Sequence, residues 1–161
     1  MLAVSLAVRL GLWLLYQPVA YSDTASYRRL AQAVARGFER YDGTRTPGYP
    51  LFLALFGPDE RVWLAQMGMG VLVSLLLFYI GWQISGRAWF GGLAGLAHSL
   101  NLQQLLFEPN LLSETGTTFW VVLSLAGAVL WYYRPERRSP WLAAAIGLAA
   151  SLAWLTRPLF L

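Results

Sequence analysis

VWLAQMGMGVLVSLLLFYIGWQ, residues 62–83, carries no charged side chain over a length that matches the hydrocarbon core of a bilayer, roughly 20 helical residues. A run this long and this apolar is read as a membrane-spanning helix. Working outward, comparable runs lie at about 1–20, 88–107, 114–133 and 140–156. The chain of 161 residues is 57% hydrophobic and only 12% charged, which places it with integral membrane proteins. The expected fold is therefore an all-α integral membrane module over 1–161, with about five transmembrane helices. The first run has no basic leader and no small-residue cleavage site, so it counts as a span and not a signal peptide. With no cysteine and one histidine, disulfides, thiolate metal sites and histidine-rich metal centres are excluded. All twelve basic residues are arginine, a bias that a GC-rich genome explains as well as phosphate chemistry does.

Between the first two runs lies a polar insert, residues 21–61. Tyr27, Leu30, Ala31, Val34, Ala35 and Phe38 recur at helical spacing, with Arg28, Arg29, Gln32 and Arg36 opposite. The pattern predicts an amphipathic helix lying along the membrane surface, with Asp23 as its N-cap and Gly37 as its stop. Thr-Arg-Thr-Pro-Gly-Tyr-Pro (44–50) then makes a stiff elbow carrying Arg45, and Pro50 suits the first turn of a second short surface helix, LFLALFG.

Five crossings put the insert, the turn at 107–114 and the end at 155–161 on one face, and the short turns at 84–89 and 132–140 on the other. Arg87, Arg134, Arg137 and Arg138 crowd those short turns, as cytoplasmic loops do. The long insert holds six arginines of its own, so charge leaves the orientation open.

Several residues point to chemistry. Asp23 is either an ordinary helix cap, worth about 1 kcal/mol, or a base held at the membrane face. Arg45 and Arg157 could each fork onto a phosphate, against the alternatives of a solvated loop arginine and a snorkelling span end. His98, Asn101, Gln104 and Glu108 make a polar stripe down the third run, and Glu114 opens the fourth. Arg9, inside the first run, needs an acid or a phosphate to offset its burial. Trp13, Trp63, Trp89, Trp131 and Trp141 near run ends fit an interfacial belt.

D-x-x-x-Y (Asp23, Tyr27), then R-x-P-G-Y-P-L-F-L-A (Arg45 to Ala54), then L-T-R-P (Leu155 to Pro158) resembles, as an ordered set, the N-terminal portion of GT-C membrane glycosyltransferases. The nearest branch in pattern is the bacterial relatives of protein O-mannosyltransferases and aminoarabinose transferases. The resemblance implies an inner-membrane protein with its first loop periplasmic, a sugar donor carried on polyprenyl phosphate, and a hydroxyl acceptor. It implies Asp23 as the catalytic base, Arg45 and Arg157 as the donor-phosphate grip, and a second acidic site at Glu114 or Glu108, with Glu114 preferred. Tyr27, Tyr49, His98 and Asn101 would line the cleft. Asp23 and Glu114 could hold a divalent metal such as Mg or Mn. Family members are longer, so the chain is expected to be the N-terminal part of a larger protein. The competing expectation is a non-catalytic assembly or docking protein, or a remnant of such an enzyme. No phosphate-binding glycine loop and no basic-aromatic surface is present, which argues against nucleotide sugars and nucleic acid.

Overall fold

The computed structural model describes residues 1–19 and 21–158, with the side chain of Ser22 left aside. The predicted loop at 155–161 and the predicted first span at 1–20 therefore each run partly outside the described residues. All regular structure among the described residues is helical: α1 Leu2–Leu15, α2 Ser22–Ala35, α3 Gly48–Phe56, α4 Asp59–Ser85, α5 Ala88–Ser99, α6 Leu102–Phe107, α7 Ser113–Tyr133, a 3₁₀ turn Pro135–Arg137, and α8 Pro140–Thr156.

Two helices are long and apolar enough to cross a membrane, fewer than the five runs predict. The 27 residues of α4 rise about 40 Å and the 21 of α7 about 31 Å, against roughly 30 Å of hydrocarbon. The run at 140–156 forms α8 as bounded, but its 17 residues rise only about 25 Å. The first run shortens to the 14 residues of α1, because Tyr16 turns to an extended conformation ahead of Pro18, which cannot donate to a helix. The third run, 88–107, is not one helix. It breaks at Leu100, and Asn101 caps α6 by accepting from the Gln104 N–H at 3.1 Å. The predicted polar stripe on one continuous face therefore does not exist.

α4 packs on α5 and α7, and α7 on α8, while α1 leans on α4 and α5. Small residues make the α4–α5 contact close. A Cβ on Gly91 would collide with the Phe78 carbonyl, and one on Gly95 would stand 2.7 Å from the Ser74 carbonyl oxygen. The Ser74 and Ser99 hydroxyls meet at 2.9 Å in the same seam. Gly91, Gly95 and Ser99 recur every four residues, the spacing by which helices approach where burial of apolar side chains gives no drive.

Among the described residues, several polar side chains are buried while many large apolar ones are exposed. Ser5, Arg9, Gln66, Ser74, Ser99 and Glu108 are each no more than 1% exposed, whereas Leu6, Leu10, Leu14, Leu93, Leu125 and Trp154 are more than half exposed. Only 22% of the most apolar stretch of α4 is buried, and 28% of that of α7. A core helix of a water-soluble domain would have these side chains covered.

The first-loop helices form their own small core. Tyr27, Ala31, Tyr49, Leu53, Val62 and Leu111 pack together, with Phe52, Ala54 and Phe56 against them, and Leu30 and Val34 of the same stripe are also buried. The apolar face of α2 is thus satisfied by α3, not by a membrane surface. Ala35 and Phe38, the expected end of the stripe, are exposed, and positive φ at Gly37 and Phe38 carries the chain away.

Candidate functional site

Asp23 is not the cap of α2. Tyr21 occupies that position, and its N–H donates to Thr24 Oγ1 at 3.1 Å, which leaves the Asp23 carboxylate free in the first turn. Arg45 takes it up: Nη2 donates to Asp23 Oδ1 at 2.7 Å, Nη1 donates to the Tyr27 hydroxyl at 3.3 Å, and the guanidinium lies 4.6 Å from the Tyr27 ring centroid. The elbow holds the arginine in place. Asp42 Oδ1 accepts from the Thr44 N–H at 3.0 Å and from its hydroxyl at 2.7 Å, closing a side-chain turn, and the Tyr41 hydroxyl donates to the Arg45 carbonyl at 2.7 Å. Those Thr44 bonds, the hydroxyl first, hold the Asp42 carboxyl below its ordinary value, while burial raises the Tyr41 phenol.

Tyr27 carries the connection onward. Its hydroxyl donates to Ser113 Oγ at 3.0 Å, at the start of α7. The next residue, Glu114, is bonded to Arg157 just past α8. The two ends are pressed together by Gly48 of α3, where a Cβ would stand 2.5 Å from the Leu155 carbonyl, and by Gly116, which faces Thr156. Asp23–Arg45 and Glu114–Arg157, 134 residues apart at the extremes, are thus two ion pairs linked through the Tyr27–Ser113 bond and the Ser113–Glu114 peptide. Their side chains are 48%, 31%, 27% and 49% exposed, so the network is open to ligands.

The remaining expected site residues fall elsewhere. Tyr49 is 1% exposed, donates its hydroxyl to Gln66 Oε1 at 3.1 Å and meets Tyr27 edge-on at 4.8 Å; it lines the apolar groove that runs beside the network. Burial pushes its phenol well above the usual range. Asn101 is a helix cap, as above. His98 is in α5, its Nε2 buried without a partner. Glu108 is separate from the open network: it is 1% exposed and Oε1 accepts from Arg9 Nη2 at 2.6 Å, while Arg9 Nη1 donates to Ser5 Oγ at 2.7 Å. Of the two acids considered for the second site, Glu114 pairs with Arg157 at the exposed end of α7 and Glu108 pairs with buried Arg9.

The carboxylates do not fit a divalent ion. Asp23 and Glu114 each face an arginine, and no group of three or more His, Asp or Glu side chains gathers among the described residues.

Sequence reading missed Ser113 and Gln66. Gln66 bridges from Tyr49 to the Glu108 carbonyl, to which Nε2 donates at 2.5 Å. Its signal was present, since a glutamine inside an apolar run needs a partner. Beside the network runs an apolar groove of about 270 Å³, bounded by Gly48, Phe52, Met69, Trp120, Leu155 and Thr156. No protein family, curated protein or solved structure matches the chain.

Proposed function

We propose that the chain is an integral membrane glycosyltransferase module that moves a sugar from a polyprenyl-phosphate donor to a hydroxyl acceptor at the extracytoplasmic face. The observation that carries this reading is the pair of open ion pairs, Asp23–Arg45 and Glu114–Arg157, linked through the buried Tyr27–Ser113 bond at one end of a bundle that exposes many large apolar side chains. The exposed leucines and tryptophans of α1, α4, α5 and α7 favour lipid as the surrounding solvent. The apolar groove beginning at Gly48 and Thr156 suits the isoprenoid tail of a lipid whose phosphate reaches Arg157 and Arg45.

In the transfer, the acceptor oxygen attacks the anomeric carbon, the bond from that carbon to the phosphate oxygen breaks, and polyprenyl phosphate departs with the electron pair. Asp23 accepts the acceptor's proton, and the arginines meet the charge on the leaving phosphate. Arg45 serves both ends of this reaction. When it turns to phosphate it releases the Asp23 carboxylate, so donor binding itself readies the base. Glu114 holds Arg157 in reach until the donor arrives.

The test is native mass spectrometry of the chain in nanodiscs with undecaprenyl phosphate. Arg45→Lys and Arg157→Lys keep the charge but lose the fork, and each is expected to weaken binding about tenfold. Binding equal to wild type in both variants would overturn the donor grip. One observation favours a second reading: each arginine is neutralised by an acid, which is what two surface staples pinning a docking loop would also do.

A further inference from the structure

A second cavity lies beside the first turn of α2, lined there by Thr24 and Arg28. It measures about 490 Å³, within the range of small-ligand sites, and opens between the end of α1, the start of α4 and the connector at 109–111. Trp13 and Trp63 form one wall, their rings tilted at 48° with centroids 4.6 Å apart. Arg28, Asp59 and Glu60 also line it, the two acids one helical turn before Trp63 on α4. Arg28 is bonded to Asp59, and Glu60 forms no ion pair among the described residues, so the polar rim is net negative. Asn110 closes the floor rigidly: its Oδ1 accepts from the Val19 N–H at 2.8 Å and its Nδ2 donates to the Leu106 carbonyl at 2.6 Å.

A lining that combines indole rings with carboxylates and one guanidinium is complementary to a ring with an apolar face of C–H bonds and an edge of hydroxyl donors. The net negative rim disfavours a phosphate or carboxylate ligand, and the polar edge leaves several buried bonds unmet by a hydrocarbon. We infer that this cavity binds a pyranose sugar, and that it is the acceptor subsite of the transfer proposed above, on which reading the second clause rests. Thr24, which lines the cavity, follows Asp23 directly in the chain. The sugar site therefore adjoins, along α2, the residue proposed as the base.

The experiment is saturation-transfer NMR on the chain in nanodiscs, using methyl hexopyranosides and methyl N-acetylhexosaminide as probes. Wild type is expected to transfer saturation to the pyranose ring protons. Glu60→Gln, an exposed substitution that leaves packing untouched, should weaken binding about tenfold, as should Trp13→Ala, with Trp13→Phe retaining part of it. Absence of transfer to every probe in wild type, or undiminished transfer in both Glu60→Gln and Trp13→Ala, overturns the sugar site. Sugar binding that persists while undecaprenyl phosphate fails to bind retires the transfer reading alone, and leaves the cavity as a sugar site.

Discussion

The Tyr27 hydroxyl donates to Ser113 Oγ at 3.0 Å while accepting from Arg45 Nη1 at 3.3 Å, so one phenol joins the first-loop helix to the start of α7. Tyr27→Phe keeps the ring against Tyr49 and removes both bonds. A drop of about 1–2 kcal/mol is expected in unfolding stability, because Ser113, itself 1% exposed, loses its donor. Chemical unfolding in detergent micelles reads it directly; a wild-type midpoint would mean that the bond joins nothing. The same variant should weaken undecaprenyl phosphate binding, since Arg45 loses one of the contacts that aim it.

Arg9 and Glu108 test a different part of the bundle. The pair is buried to 1% on both sides, with Arg9 packed against Gly70. Arg9→Met alone strands a carboxylate and should cost about 3–5 kcal/mol, as should Glu108→Gln by stranding the guanidinium. The double variant should recover most of that loss, because no unpaired charge remains. Additive single losses in the cycle would show that the two side chains do not depend on each other.

Local patterns and distant pairings differed in how far the sequence revealed them. The α2 stripe was readable because Tyr27, Leu30, Ala31 and Val34 repeat at helical period, and period reports a buried face whatever buries it. For the same reason it misreported the partner: α3 and a lipid surface ask for the same stripe. The third run failed on a related ambiguity. His98, Asn101, Gln104 and Glu108 fit one face of an unbroken helix, but asparagine is also a strong cap, and only tertiary packing decides between them. The expectation that Asp23, Arg45, Glu114 and Arg157 share one face rested on five crossings, whereas two helices among the described residues are long and apolar enough to cross. Their order of pairing, and the use of Glu108 by Arg9 across 99 positions, is a property of packing that no period encodes.

The elbow offers a pH test away from the helices. Asp42 has its carboxyl below the ordinary value of 3.8 chiefly because of the Thr44 hydroxyl. A folded value lower than the unfolded one means that its contribution is fully present above the unfolded value and lost as pH falls through the folded one. Thr44→Val deletes the hydroxyl bond and keeps the N–H bond. The Asp42 carboxyl should then titrate closer to 3.8, as read from its side-chain carbon shift, and an unmoved titration would discard the turn as the cause.

Asp23 and Arg45 separate the catalytic and the staple readings. Both readings require their 2.7 Å bond, so breaking it cannot discriminate between them. Exchanging its ends can. In Asp23→Arg with Arg45→Asp the ion pair is restored with opposite polarity, and a half-exposed pair of this kind contributes no more than about 1 kcal/mol, so the fold should be retained. The carboxylate, however, now sits on the elbow, and the guanidinium on the first turn of α2. If Asp23 is a base, its position relative to the acceptor matters, and transfer should fall by about 10²–10⁴ in the exchanged protein and in Asp23→Asn alike. Undecaprenyl phosphate should still bind to Asp23→Asn, because Arg45 is released from its acid. A staple has no such polarity: the exchanged protein would behave as wild type in every assay, and only Asp23→Ala and Arg45→Ala would show a defect. Transfer of a polyprenyl-phosphate-linked sugar at the wild-type rate by the exchanged protein would remove Asp23 from the chemistry and leave the docking loop as the better account.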